Sequence, residues 1–139
     1  MKNAFFAASA TLFFFMIHIS AGAQRVATWK GGTPGRTNDW ALASNWKEGR
    51  VPDGFSDVVI ADVSSTGGFQ PVIRIAVEGI NSLTILPGAR LLIETSGSLD
   101  VFEPLEIIAG SSILNYGLLN VPLSETTRKE QDTTFAAKR

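Results

Sequence analysis

The middle of the chain alternates apolar and polar residues over short stretches that are separated by turn residues. Within each stretch apolar side chains recur two positions apart, which is the period of a β-strand. Leu83 and Ile85 form one such pair, and similar pairs or single residues follow at steps of six to eight residues. The later ones are Leu91 with Ile93, Leu99 with Val101, Leu105 with Ile107, Ile113, and Leu119 with Val121. Two further stretches of this kind precede Leu83, at residues 57–63 and 71–77, so the pattern predicts eight short strands within residues 57–123.

The spacing of these stretches bears on how the strands are arranged. Short strands joined by tight bends, such as Pro87-Gly88 and Ser96-Gly97, are typical of a parallel β-solenoid with about three strands in each coil. The Asn-Gly and Asp-Gly loops that favour hairpins do not occur between the stretches. We therefore predict an all-β fold, a short parallel β-helix of about three coils, with an antiparallel β-sandwich as the alternative.

Residues 1–23 are typical of a secretory signal peptide. Lys2 supplies a positive start, an apolar stretch follows, and Ala21-Gly22-Ala23 is a small-residue cleavage site. An uncleaved membrane anchor is the alternative, but the apolar stretch is shorter than the about 20 residues that span a bilayer. We therefore predict an exported protein, secreted or at the cell surface, with no membrane contact after cleavage.

Two segments flank the predicted solenoid of residues 57–123. Residues 24–56 are rich in Gly, Pro, Asn and Asp, and we predict that they form an N-terminal cap segment. Residues 124–139 are polar, with Phe135 as their only large apolar side chain, and are predicted to be disordered.

Composition narrows the range of functions. The only histidine is His18 and there is no cysteine, so the chain after residue 23 lacks the commonest general base, a thiol nucleophile and the usual zinc ligands. Removing Lys2 from the 12 basic residues leaves 11 against 13 acidic ones, a net charge of −2. This charge does not favour nucleic acid or an anionic membrane as a partner.

All three tryptophans precede the first predicted strand of the solenoid. Trp29, Trp40 and Trp46 could stack on sugar rings, or they could cover the end of the first coil, which a solenoid otherwise leaves open. Burying about 150–250 Å² of each at about 25 cal/mol per Å² gives at most roughly 4–6 kcal/mol per side chain. We therefore predict a structural cap. Of the three tryptophans, Trp40, beside Asp39, is the one that would most readily stay partly exposed, and these two residues are the candidates for carbohydrate binding.

Other residues of the same segment are predicted to build the cap: Asn45, Pro52 and Asp57, together with Trp29 and Trp46. Asp53 and Asp57 are four residues apart and could offer oxygen ligands to calcium, although the ligand density of a calcium loop is missing. The alternative is that Asp39 and Asp53 accept backbone N–H groups in Asx-turns. We predict no cofactor, with calcium as the less favoured possibility.

The order of residues in and after the cap segment has a parallel in a known family. The pattern comprises Trp29-x-Gly31, Asp39-Trp40, Asn45-Trp46, Gly49, Pro52, Asp57-x-Val59-Ile60 and the stretch from Leu83 to Ile93. It resembles large secreted surface proteins of Bacteroidota, similar to pectin-lyase-like and adhesin solenoids. The resemblance covers residues 28–121 and implies a right-handed parallel β-helix. It implies no single activity, because such solenoids serve as adhesins, scaffolds and polysaccharide-active enzymes.

The length of the chain departs from that family, whose members are often far longer. The resemblance therefore implies a small standalone member or a truncated copy.

Charged residues on the predicted outer face allow an enzymatic alternative. They are Arg74, Arg90, Glu94, Asp100, Glu103 and Glu106. Paired carboxylates can hydrolyse glycosidic bonds, but no long loop interrupts the coils to form a substrate groove. We predict a non-enzymatic structural or adhesive module, with a carbohydrate-binding or polysaccharide-degrading module as the alternative.

The last predicted coil is apolar and is followed by the predicted polar tail of residues 124–139. Leu118, Leu119, Val121 and Leu123 leave an unpaired edge. We therefore predict self-association or docking of another module at the C-terminal coil end, besides a polysaccharide or cell-surface partner.

Overall fold

The computed structural model describes residues 23–122, and within them the fold is all-β with two short 3-10 helices. The predicted signal peptide, apart from Ala23, and the predicted polar tail lie outside the described residues. The strands are β1 (Arg25–Thr28), β2 (Ser56–Ile60), β3 (Val72–Ile73), β4 (Ser82–Ile85), β5 (Arg90–Ile93), β6 (Ser98–Asp100), β7 (Glu106–Ile107), β8 (Ser112–Asn115) and β9 (Leu118–Asn120). The 3-10 helices are η1 (Ala43–Asn45) and η2 (Ser64–Thr66).

The strands form three parallel sheets. Sheet 1 has the order β1-β2-β4-β7, sheet 2 the order β3-β5-β8, and sheet 3 pairs β6 with β9. Successive strands along the chain belong to sheets 1, 2 and 3 in turn, and we call each such set of strands a round. Round 1 begins with β2 and β3, round 2 comprises β4 to β6, and round 3 comprises β7 to β9. The predicted all-β class is confirmed. Every pairing between these strands is parallel, which does not agree with an antiparallel sandwich.

The register of the sheets stacks apolar residues in columns that face the interior. Val58 of β2 is paired with Leu83 of β4, and Leu91 of β5 with Ile113 of β8. Because alternate residues of a strand face opposite sides, this register places the predicted inward pairs of round 2 in the core. They are at most 3% exposed: Leu83, Ile85, Leu91, Ile93, Leu99 and Val101. The inward prediction for these pairs is confirmed.

The bend between sheets 2 and 3 brings successive rounds into backbone contact. A Cβ on Gly97 would lie 2.3 Å from the carbonyl oxygen of Ile73, and one on Gly117 would lie 2.2 Å from the carbonyl oxygen of Gly97. Neither position has room for a side chain. Glycine at this corner therefore allows the rounds to stack at strand spacing.

The cap segment contains a strand, β1, that was not predicted from its turn-rich composition. β1 pairs in parallel with β2, with Ala27 opposite Val58, and Ala27 is fully buried. The hydrogen-bonded stack thus begins before residue 57. Within residues 23–122 no helix has the length and apolar character needed to cross a bilayer.

Candidate functional site

The three tryptophans form one packed cluster in the core. The Trp46 ring lies between the other two and meets each edge to face, with ring centroids 5.1 Å from Trp29 and 4.8 Å from Trp40. Such T-shaped pairs match the positive edge of one ring with the negative face of the next. Each tryptophan is at most 1% exposed, so the cluster packs with the first strands as part of the same core.

The indole N–H groups tie the cluster to distant backbone. The Trp29 Nε1 donates to the carbonyl oxygen of Phe69 at 2.8 Å, and the Trp46 Nε1 donates to that of Trp40 at 2.9 Å. The Trp40 Nε1 is buried without an acceptor among the described residues. Two of the three tryptophans therefore have a polar anchor, whereas the third is held by packing alone.

Asn45, which sequence reasoning assigned to the cap, is fully buried at its centre. Its side-chain amide donates to the carbonyl oxygens of Arg36 at 2.7 Å and Asp39 at 2.9 Å. Its side-chain oxygen accepts the backbone N–H of Thr33 at 3.0 Å. One side chain thus closes the loop that leads to Trp40, and burial makes each of these bonds costly to lose.

The glycine of the Trp-x-Gly motif is required by backbone conformation and space. Gly31 has φ of 62°, a left-handed conformation that side chains disfavour. A Cβ there would lie 2.7 Å from the carbonyl oxygen of Phe69, the acceptor of the Trp29 indole. The loop carrying Phe69 therefore closes directly over this motif.

Trp40, whose exposure the sequence leaves open, is buried. The backbone N–H of Trp40 bonds to Val72 of β3, and its side chain is 1% exposed. A cavity of about 220 Å³ lies beside it, lined also by Arg36, Asp39 and Arg74. A buried ring cannot stack on a sugar, so Trp40 is unsuitable as a binding platform in this conformation.

The carboxylate of Asp39 is engaged within the protein. It accepts hydrogen bonds from the Arg36 guanidinium and, at 3.0 Å, from the backbone N–H of Ala41. The second contact is an Asx-turn, which confirms that alternative for Asp39. The pair Asp39 and Trp40 therefore organises the loop.

Asp53 forms a second predicted Asx-turn, just before β2. Its carboxylate accepts the backbone N–H of Phe55 at 3.1 Å and the Ser56 hydroxyl at 2.9 Å, and it pairs with Arg25 at 2.7 Å. Burial opposes ionisation, but these hydrogen bonds and the positive charge outweigh it and lower the pKa of Asp53 below its ordinary value of 3.8. Pro52 is buried beside this turn.

Asp57, a predicted cap residue that was expected to fix the loop before the first strand, has a different place. It lies within β2, and its carboxylate accepts the Asn81 amide and the Ser82 hydroxyl, both at 2.7 Å. It therefore links round 1 to round 2 and does not shape the loop before β2. Residues 23–122 hold no group of three or more His, Cys, Asp or Glu side chains placed to bind one metal ion.

A cleft that the sequence did not reveal lies beside the tryptophan cluster. It has a volume of about 420 Å³ and is lined by Trp29, Lys30, Lys47, Asp62 and Thr66 among others. These are the two lysines of residues 23–122, and neither is within 4.0 Å of a carboxylate there. Hydrogen bonds from Ser64 lower the pKa of Asp62, the one acidic residue of the lining. The lining thus carries a net positive charge.

Three of the six charged residues predicted on the outer face contact residues of neighbouring rounds. Arg74 approaches Glu94 at 3.4 Å, and the Asn120 amide donates to Asp100 at 2.6 Å. Arg90, Glu103 and Glu106 are exposed. Glu94 and Asp100 therefore take part in contacts that hold the stack together.

Comparisons with known proteins give no relative. No family model matches the chain, and neither the curated proteins nor the solved structures contain a match to it. The resemblance to Bacteroidota solenoid proteins therefore stays a prediction.

Proposed function

We propose that the chain is a secreted, non-enzymatic structural or adhesive module at a bacterial surface or outside the cell. We further propose that it is built as a short right-handed parallel β-helix of about three coils, with a tryptophan-rich N-terminal cap.

The rotation of the chain through three parallel sheets supports the β-helix. Asp57 pairs with Ser82, 25 residues later, and Ser98 pairs with Leu118, 20 residues later. Steps of this size suit one coil of three short strands. Parallel strands of one sheet are connected with a right-handed crossover in nearly all proteins, which supports the proposed hand.

The observation that carries the structural role is the burial of all three tryptophans. A sugar-binding platform needs an exposed ring face, whereas these rings are at most 1% exposed and pack edge to face. The lack of His and Cys after residue 23 also favours a module without catalysis.

Substitutions in the cluster test this role. In the chain of residues 24–139, Trp40→Ala should lower the melting temperature by about 15 °C or more, because removing a buried Trp costs about 3–5 kcal/mol. Trp40→Phe should be far milder, because the Nε1 it removes has no acceptor. Trp46→Phe should cost more than Trp40→Phe, because it leaves the Trp40 carbonyl oxygen without its donor. An unchanged melting temperature in Trp40→Ala, with loss of heat signals on titration with polysaccharides, would overturn the structural role.

Export is tested separately from the role of the cap. Expression of the full chain in a bacterium should release a product that begins at Gln24, as measured by mass spectrometry. Deletion of residues 2–22 should retain the protein inside the cell. Recovery of the unprocessed full chain from the membrane fraction would contradict the proposed export.

A second candidate function, binding of a carboxylated polysaccharide, is favoured by the cleft beside the tryptophan cluster. Lys30 and Lys47 line the cleft and have no carboxylate partner among the described residues. Ammonium groups in a cleft attract carboxylates at a distance. The apolar part of its lining includes Ala61 and Val63.

Calorimetry with polygalacturonate and a neutral glucan tests this candidate. The candidate is supported if polygalacturonate binds and the neutral glucan does not. The affinity for polygalacturonate should then fall at least about tenfold in the double variant Lys30→Ala and Lys47→Ala. Arg90→Ala is the matched control, because it removes an exposed positive charge on β5, outside the cleft. No binding, or equal losses in both variants, would rule it out.

A further inference from the structure

The inward apolar side chains of the strand stack are buried in round 2 and partly exposed to solvent in round 3. Ile85 of β4 is fully buried, whereas Ile107 of β7, its partner in the next round, is 49% exposed. Exposure likewise rises from 3% at Val101 to 40% at Val121, one round later. The inward columns thus continue into a layer that nothing in residues 23–122 covers.

This layer, which we call the open end, combines apolar side chains with free strand edges. Its inward side chains are all at least partly exposed: Leu105, Ile107, Ile113, Leu119 and Val121. β7, β8 and β9 are each the last strand of their sheet. Each therefore presents unpaired backbone groups on the outer side within the described stack, which is a template for pairing with another strand.

We propose that the open end binds the open end of a second copy of this chain, giving a two-fold symmetric dimer. The charge of the surface suits such a contact. Between residues 104 and 122 only Glu106 is charged, so little repels an identical surface. The lysines and charged side chains that usually protect free edges are absent from β8 and β9.

The other ends and segments of the chain are less suited to cover the open end. The opposite end carries the packed tryptophan cluster, which offers no matching open core to a head-to-tail neighbour. Residues 123–139 contribute only Leu123 and Phe135 as large apolar side chains, against five on the open end. The open end of a second copy has the same apolar area and the same number of free strand edges as the open end that it would cover.

The symmetry fixes how the strands meet. A two-fold axis perpendicular to the stack reverses strand direction, so the edge strands of the two copies run antiparallel across the junction. Because an isologous contact uses the same patch twice, it closes at two copies and does not extend into a fibre.

Light scattering on residues 24–139 tests the proposal. The mass should rise to about twice that of the monomer between about 1 and about 100 μM. The double variant Ile107→Lys and Val121→Lys places two positive charges on the open end and should stay monomeric. Ile75→Lys is the matched control, because Ile75 is a similarly exposed apolar residue, at 58%, in round 1. It should dimerise as the unsubstituted chain does.

Amide hydrogen exchange gives a readout without any substitution. Exchange of β8 and β9 amides should slow as the concentration rises, while that of β2 amides should not change. A monomer at all concentrations, species larger than a dimer, or a dimer that survives both lysines would overturn the proposal. Concentration-independent protection of β8 and β9 would overturn it too, since it would mean that the chain covers its own open end.

Discussion

Asn45 shows how a single side chain organises the cap. The Asn45 side chain bonds the backbone of Thr33, Arg36 and Asp39. The backbone carbonyl oxygen of Asn45 separately accepts the N–H groups of Lys30 and Gly31. The loop therefore closes around one buried polar group. Hydrophobic packing of the neighbouring rings shields these bonds from water, which raises the cost of breaking them.

The substitution Asn45→Ala should destabilise the protein by about 2–4 kcal/mol, because it leaves three partly buried backbone groups without partners. Chemical denaturation of residues 24–139 measures this loss. Asn38→Ala is the matched control: the Asn38 side chain accepts a surface hydrogen bond from Arg74 at 3.2 Å and should cost far less. Equal effects of the two substitutions would contradict the central position of Asn45.

At the same scale, local contacts were predictable from the sequence and distant ones were not. The Asx-turns of Asp39 and Asp53 span two residues, so the residue type and its neighbours suffice to predict them. The burial of Trp40 depends on Val72, which is remote in sequence, and nothing near Trp40 indicates that contact. The cleft of Lys30 and Lys47 escaped prediction for the same reason, since residues after β2 form part of its lining.

At the scale of elements, the period-two pattern located the strands of residues 57–123 well. Each of the eight predicted stretches contains one strand, from β2 to β9. β1 was missed because Arg25–Thr28 offers four residues with little apolar alternation, and its pairing with β2 stabilises it. Strand preference of so short a segment is decided by its neighbours in the sheet.

Gly97, at the bend between sheets 2 and 3, should not tolerate a side chain. Gly97→Ala should lower the melting temperature by about 10 °C or more, because its Cβ would meet the Ile73 carbonyl oxygen at 2.3 Å and push the rounds apart. Gly54→Ala is the control, since its Cβ would have an ordinary contact of 3.4 Å with Phe102. Calorimetric melting of the two variants compares them, and a Gly97→Ala protein as stable as Gly54→Ala would refute the corner contact.

The carboxylate of Asp53, which pairs with Arg25 of β1 just before β2, should make the stability of the protein depend on pH. Because its pKa is lower in the folded state, its contribution is present above the ordinary value of 3.8 and is lost as pH falls through the lowered value. The melting temperature of Asp53→Asn should therefore lie about 5 °C below that of the unsubstituted chain near pH 7, and the difference should shrink as pH falls through the lowered pKa of Asp53. A difference that is independent of pH would show that the charge of Asp53 contributes nothing.

At the scale of the whole molecule, the parallel arrangement followed from the spacing of the stretches and the absence of hairpin loops. The rotation through three sheets depends on the same spacing, because each stretch is too short to do more than cross one face. One end of the stack carries the buried tryptophan cluster and the other is the open end, and this difference was only partly predictable from the sequence. The apolar final stretch indicated an unpaired edge, while the complete burial of the tryptophans required the contacts of Phe69 and Val72.

Acrylamide quenching of tryptophan fluorescence in residues 24–139 distinguishes rings that are buried in the core from rings that are displayed to a ligand. Tyr116→Trp supplies an internal reference, because this side chain is 66% exposed. Because the three tryptophans are buried, we expect blue-shifted emission and weak quenching of the unsubstituted chain, with one strongly quenched component added in Tyr116→Trp. Strong quenching of the unsubstituted chain, equal to that of the added tryptophan, would contradict the burial of the three rings.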